Sequence, residues 1–392
     1  MATLSIRVTR SRSGLDWAFN WQLPQEVASA FAAGGNRVLF VENTGVRRPA
    51  LKDLPRLWAR LRNWRRAGGG VHTADRGVDV HSPLLLPFPY ARSAVAISAR
   101  LLLRTARKWL RRDAGRPLIV ITFLPTPLAL AVIRGLKPDL AVYYCADRLT
   151  ETSAEARKLI HSEPQLLAEA DLVLTTSHGL QASAGMVARR VEFLPCGVRS
   201  GEFERARRDA DSRSTGPAGP VIGFTGTLRE QIDIALLAEV ARLAPELSFV
   251  FVGPMETDVS RLAAHRNVRF IGPVLHDDVV RYTAGFDAGI LPYVISDYTA
   301  DVMPVKLKEF LAAGLPVLAT ALPEICLFAD QHPGLIAFAG NAVTFVAGLR
   351  AAVAENGSGP VARRMEVARQ YDWTEQMSRM SGWMESLLAA KQ

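Results

Sequence analysis

Short apolar runs alternate with amphipathic stretches along most of the chain. Residues 4–8, 37–41, 118–123, 140–144, 172–175 and 191–194 are brief, strongly apolar segments, the kind a parallel sheet buries on both faces. Residues 25–33 carry a helical pattern that stops at Gly34 and Gly35, glycine being the residue that most readily ends a helix. The second half repeats the pattern. Strands are predicted over 221–225, 249–252, 268–271, 288–291 and 317–319, helices over 232–243, 277–284 and 305–313, and a last helix over 373–389. Strand–helix alternation with Gly226, Gly253, Gly272 and Gly314 at the turns predicts an α/β protein with doubly wound sheets, whose ligands bind at the strand carboxyl ends. Residues 200–220 become charged and then rich in Ser, Gly and Pro, which reads as a linker. The expected organisation is a domain over 1–200, a linker over 201–219, a second domain over 220–370 and a terminal helix over 371–392.

Composition agrees with two cores. A chain of 392 residues, 49% of them hydrophobic, is too long for one ordinary core and suits two domains of about 200 residues or fewer. The net charge of +9 is uneven: residues 47–116 hold 17 Lys/Arg against 4 Asp/Glu, an excess of +13, so the rest of the chain sits at −4. Such a local excess is a footprint for an anionic partner. Within it, residues 54–66 and 94–112 place apolar residues at helical spacing between Arg and Lys, with Trp58, Trp64 and Trp109 as amphipathic anchors. They read either as helices lying on an anionic membrane surface or as surface helices whose arginine stems cover apolar area. No nucleic-acid motif accompanies the charge. Cys145, Cys196 and Cys326 are far apart and show no metal-ligand spacing, so a reducing, cytoplasmic setting is expected. The N-terminus lacks an apolar signal core, and no run approaches the roughly 20 apolar residues that span a bilayer.

The chemistry concentrates in residues 301–320, DVMPVKLKEFLAAGLPVLAT. Asp301 and Glu309 are eight apart. Pro304 suits a first helical turn, Lys306 and Glu309 share a helix face, and Gly314 ends the helix. A helix N-terminus with a nearby lysine suits a diphosphate, and a carboxylate one turn later can hold a cis-diol. The same Lys–Glu pair also reads as an ordinary exposed helix pair.

This block resembles the GT-B glycosyltransferases of the family-4-like group, the group 1 glycosyl transferases of bacterial polysaccharide biosynthesis. The resemblance is carried by an acidic residue, seven others and a glutamate, followed by a small-residue helix end and a Gly-x-Pro-Val strand, matched here by Asp301, Glu309, Phe310, Ala312, Ala313, Gly314, Pro316 and Val317. It implies a GT-B fold, two Rossmann-like doubly wound domains facing across a cleft, with a nucleotide-sugar in the C-terminal one. It further implies that Glu309 binds the ribose hydroxyls and that Asp301, one methylene shorter than the usual residue, meets the transferred sugar. Gly226, Thr227 and Arg229 resemble the strand–glycine turn that approaches the phosphates. Pro273 and Val274 stand at the strand end flanking the base. Met303, Pro304, Lys306 and Leu307 complete the implied donor contacts. In the N-terminal half, Asp147 reads as a general base or as a helix N-cap, and Glu42 and Asn43 read as acceptor-side residues or as a chain turn.

The expected function is transfer of a sugar from a UDP- or GDP-sugar to a hydroxyl of a polysaccharide or lipid-linked oligosaccharide. Expected partners are the nucleotide-sugar, the saccharide acceptor and an anionic membrane surface docked through 47–116, without nucleic acid, on the inner face of the cytoplasmic membrane. No cofactor or metal is required, because Lys, Arg and backbone N–H groups can stabilise the leaving diphosphate. A nucleotide-sugar epimerase of the same fold and a non-catalytic membrane scaffold are the alternatives.

Overall fold

A computed structural model of the chain describes residues 2–6, 17, 22–42, 71–74, 77–83, 85–86, 88–111, 115–149, 156–211, 219–355 and 357–391. It divides into two compact units, Met1–Leu194 with Met377–Gln392, and Pro195–Gln376. Asn43 and the amphipathic stretch 54–66 lie outside the described residues.

Among the described residues the first unit holds eight strands: β1 (Ala2–Ile6), β2 (Arg37–Val41), β3 (Val71–Thr73), β4 (Asp79–His81), β5 (Leu118–Thr122), β6 (Leu140–Cys145), β7 (Leu172–Thr175) and β8 (Val191–Phe193). They lie in the order β3-β4-β2-β1-β5-β6-β7-β8. Only the β3/β4 pair is antiparallel. β3 and β4 are three residues each, too short to print an apolar run in the sequence. Between the strands run α1 (Leu23–Ala33), α2 (Arg92–Leu110), α3 (Pro127–Leu136), α4 (Glu163–Glu169) and α5 (His178–Gly185). One face of the sheet packs Val120, Tyr143 and Val173 against Leu102 and Trp109 of α2, Ile133 of α3, Leu166 of α4 and Leu180 of α5.

The second unit begins with α6 (Ser200–Asp211), so residues that read as linker form a helix. Its charged sequence is that of a half-exposed helix: Phe203 enters the core, while Glu204 pairs with Arg369 at 2.7 Å. Then follow β9 (Val221–Thr225), α7 (Ile234–Leu243), β10 (Ser248–Val252), α8 (Ser260–Ala263), β11 (Val268–Gly272), α9 (His276–Ala284), β12 (Ala288–Leu291), α10 (Asp297–Ala300), α11 (Val305–Ala312), β13 (Val317–Ala319), α12 (Pro323–Gln331), β14 (Ile336–Phe338), α13 (Ala342–Ala354), α14 (Ser358–Arg369) and α15 (Trp373–Ala390). The sheet order is β11-β10-β9-β12-β13-β14, all parallel. Counted from β9 this is 3-2-1-4-5-6, the doubly wound order whose switch point lies between the first and fourth strands. Ile222, Phe224 and Ile290 pack on Leu237, Val240, Phe345 and Leu349. The opposite face packs Val252 and Leu291 on Phe286, Leu307, Phe310 and Phe328.

Two strand glycines make room on this face, one for Phe286 after α9 and one for Phe310 of α11. Gly223 of β9 and Gly289 of β12 are register partners. A methyl group on Gly223 would lie 1.9 Å from Phe286, and one on Gly289 would lie 2.4 Å from Phe310. The missing side chains are the space those rings occupy, the usual reason for glycine inside a strand. At its other end α11 closes in a Schellman motif: Leu315 N–H donates to the Phe310 carbonyl at 2.9 Å and Gly314 N–H to the Leu311 carbonyl at 2.9 Å. Gly314 takes φ +72, which glycine adopts without a Cβ penalty. Arg207 donates to the Ala313 carbonyl at 2.8 Å, and Arg364 donates to that of Gly314 at 3.4 Å. Both guanidinium groups sit where the helix dipole is negative.

The later part of α15 belongs to the first unit. There Arg379 donates to the Phe193 carbonyl at 3.1 Å, and Lys391 pairs with Asp171 at 2.6 Å. Among the described residues no helix is long and apolar enough to cross a membrane.

Candidate active site

The carboxyl ends of β9 and β12 flank the switch point of the second unit. β9 runs out at Gly226, whose φ is +124, and β10 at Gly253, whose φ is +139. The two turns touch backbone to backbone. A methyl group on Gly253 would lie 2.3 Å from the Gly226 carbonyl oxygen, and Gly226 N–H donates to the Val252 carbonyl at 2.7 Å. Thr227 follows half-buried, and Leu228 is tied to the next loop through the Pro254 carbonyl at 2.9 Å.

Over Gly226 lies Lys306, near the start of α11. A methyl group on Gly226 would sit 2.2 Å from Lys306 Cε and 2.7 Å from Nζ. Lys306 is half-buried. Burial lowers its pKa below the ordinary lysine value, Glu309 opposes that shift, and the neighbouring Arg229 adds to it. Arg229 is half-exposed and held through Nε by Glu256 at 3.0 Å. The positive end of the helix dipole adds to these two cations. Among the described residues, neither the Lys306 ammonium nor the Glu309 carboxylate has a hydrogen-bonding side-chain partner. Two cations and a helix N-terminus over a glycine turn form an anion site in the sense of helix-terminus phosphate binding.

The structure places one further polar group at this turn and assigns several of the expected residues to packing positions. Thr225 Oγ1 is buried at the end of β9 with no hydrogen-bond partner among the described residues, in the strand turn that meets Lys306. Its signal was the Thr-Gly dipeptide at the strand end. Pro304 is the N-cap of α11, not part of its first turn. Leu307 is fully buried in the core, since it occupies the sheet-facing side of the helix; only its backbone can serve a ligand. Met303 packs on the same core, as does Val274. Pro273 is exposed after β11 and Leu275 beside it is 75% exposed. Asp301 caps the end of α10 with φ −96, half-buried and engaged with neighbours.

In the first unit Asp147 follows β6 and is half-buried, its carbonyl facing the Cys145 thiol at 4.0 Å. Residues 150–155, which it would cap if helical, lie outside the described residues. Glu42 lies at the end of β2, 4% exposed. Its carboxylate accepts from Trp17 N–H at 2.8 Å and from the Ser82 hydroxyl, so it joins chain segments and has little left for an acceptor. A second carboxylate, Glu163, accepts from Tyr143 Oη at 2.8 Å, and burial raises its pKa.

The fold is that of the GT-B glycosyltransferases. The whole chain superposes on sucrose-phosphate synthase from Thermosynechococcus elongatus with a TM-score of 0.68 at 16% identity, covering 100% of both chains. It also superposes on Anabaena HepE in complex with UDP and glucose, with a TM-score of 0.68 at 13% identity, covering 98% of this chain and 100% of that one. Residues 219–355 match the family Glycosyl transferases group 1. A Bacillus subtilis (strain 168) protein assigned by name to teichuronic acid biosynthesis as the glycosyltransferase TuaH is 32% identical over 255 residues, 60% of this chain. The match spans 64% of the length of that relative.

Proposed function

We propose that the protein transfers a sugar from a nucleoside-diphosphate sugar to an acceptor hydroxyl, and that Lys306, Arg229 and the Gly226 turn hold the diphosphate. The observation that carries this reading is the Lys306 ammonium lying over the side-chain-free backbone turn at Gly226, with Glu309 and Arg229 beside it. In the reaction the bond from the anomeric carbon to the diphosphate oxygen breaks. A bond from that carbon to the acceptor oxygen forms, and the acceptor hydroxyl loses its proton. Negative charge grows on the leaving diphosphate, so cations and N–H groups already in place lower the barrier without a bound metal. Glu309 holds the ribose diol, Asp301 meets the sugar, Thr225 Oγ1 gives a further polar contact at the turn, and Val274 flanks the base. The first unit takes the acceptor, with Asp147 at the end of β6 as the base. UDP is the first nucleotide to test, since HepE holds it; the TuaH likeness favours a polysaccharide or lipid-linked acceptor.

Calorimetry with UDP and GDP tests the reading: one of them binds with micromolar affinity. Turnover of a bound nucleotide-sugar releases nucleoside diphosphate only as sugar reaches acceptor or water. Sugar interconversion without such release would instead mark an epimerase, and absence of binding to either nucleotide would leave a scaffold.

The protein also docks on anionic membrane through α2. Arg100, Arg104, Arg107, Lys108 and Arg111 are exposed on this helix, Ile97 is 45% and Leu101 51% exposed beside them, and residues 92–111 contain no acid. Each such cation near a charged surface contributes about 1 kcal/mol. In flotation assays with phosphatidylglycerol vesicles the protein should co-float at low salt and be released by high salt, and an Arg100→Glu/Arg104→Glu/Lys108→Glu variant should stay unbound. Equal flotation with neutral vesicles would sink this docking.

A further inference from the structure

Lys308 lies on α11 between Lys306 and Glu309, yet its side chain is 0% exposed. Burying an ammonium group is costly unless it is well paired. A methionine of similar length would fill the space without that cost. The lysine instead makes contacts an apolar chain cannot. Its Nζ donates to the Cys196 carbonyl at 2.8 Å and lies 5.0 Å from the centre of the Tyr371 ring. Burial pulls its pKa down to about 8, while Cys196 and the buried Glu324 push it back up.

Those contacts have a particular address. Cys196 is the second residue after the chain enters the second unit, and Tyr371 precedes its exit after Gln376. The two passages are bound to one another. Val198 N–H donates to the Tyr371 carbonyl at 2.9 Å, and Trp373 N–H returns a bond to the Val198 carbonyl at 3.1 Å. The Asp372 carboxylate accepts from the Ser200 N–H at 3.1 Å and from its hydroxyl at 2.6 Å. Gly197 is pressed against Trp373 so closely that a methyl group would lie 2.5 Å from the ring. Tyr371 Oη is itself held 3.1 Å from His332 Nε2. The entry and exit of the chain thus form one clamp, and the Lys308 ammonium joins that clamp to α11.

We infer that Lys308 is a positioning residue that couples the helix presenting Lys306 and Glu309 to the paired chain passages joining the two units. Ligand held by α11 tightens the passages through Lys308, and strain in the passages reaches α11 by the same route. The inference rests on the reading of α11 as the nucleotide-binding helix. It makes Lys308 neither a ligand contact nor a general fold contact but the link between two local structures.

Hydrogen exchange followed by mass spectrometry, with and without UDP and GDP in parallel, tests it on the full chain. In the parent protein the binding nucleotide slows exchange about tenfold both in α11 and in the passages at 195–200 and 370–376, within the usual range of coupling between sites. In Lys308→Met the nucleotide still slows exchange in α11, with affinity within about threefold of the parent, but no longer in the passages. Lys308→Arg, which keeps a donor and a charge, restores part of the effect. If Lys308→Met does not fold, Asp372→Asn loosens the clamp from its other side and should reduce the same difference. Passages in Lys308→Met that respond to nucleotide as in the parent overturn the inference while leaving the binding reading intact. A uniform rise in exchange throughout the second unit, with and without nucleotide, also overturns it, because that is the mark of a purely structural lysine. A parent protein that binds neither nucleotide ends both readings.

Discussion

Lys306→Ala and Glu309→Ala each weaken UDP binding by about 10- to 150-fold, the value of losing a hydrogen bond to a charged group at about 1.5–3 kcal/mol. Among the described residues neither side chain has a hydrogen-bonding side-chain partner, so removing them costs the ligand more than it costs the fold. Their melting temperatures should stay close to the parent's. The pH dependence follows from the lysine. Burial and Arg229 hold its pKa below the usual value in the free protein, and a bound diphosphate must raise it again by favouring the charged form. Affinity is therefore full below the lowered pKa of free Lys306. It falls as pH rises through that value, by up to about tenfold per pH unit until the bound form titrates too. Calorimetry over roughly pH 7 to 10 reads this directly, and Lys306→Ala should flatten the decline. A parent protein whose affinity is level across the range, or an alanine variant that binds as tightly, would remove Lys306 from the site.

Gly253→Ala and Gly226→Ala separate two consequences of the same local crowding. At Gly253 an added methyl meets the Gly226 carbonyl oxygen at 2.3 Å and its carbon at 2.6 Å, with φ at +139. Backbone cannot yield as a side chain does. The strained φ alone costs about 1–3 kcal/mol, and the overlap adds a comparable amount. Gly253→Ala should lower the melting temperature by about 6–12 °C for a unit of this size. At Gly226 the atoms in the way are Cε and Nζ of Lys306, the free end of a flexible chain. There the methyl is accommodated by moving the ammonium, so stability falls by the φ strain alone while nucleotide affinity drops by more than about tenfold. Thermal denaturation and calorimetry on the two variants check the contrast. Equal loss of affinity in proportion to equal loss of stability would show that the turn matters only as scaffold.

Much of the second unit was legible because its strands are apolar, short and punctuated by glycine. The runs at 221–225, 288–291 and 317–319 are observed as β9, β12 and β13 with the same bounds, since a strand covered on both faces needs apolar residues at every position. Lys306 and Glu309 were legible because helical periodicity fixes which side chains share a face. Helix α6 was not: its sequence is mostly polar, and only Phe203 and the carbonyl of Ala313 waiting for Arg207 give it a place. Nor was the burial of Leu307, which depends on how far α11 settles over Gly289.

Sequence alone therefore determined the strand–helix order, the glycine turns and the residues of the acidic-x7-Glu block, because these follow from periodicity and from the conformations glycine permits. Tertiary structure decided which of those residues lose their partners and which gain them. It left Lys306 facing a bare turn and drew Lys308, two positions on, to a carbonyl at Cys196. A charge at the end of a long lysine side chain can end in solvent, in a ligand site or in a clamp, and only the packing of distant segments, 112 residues apart in this case, selects among them.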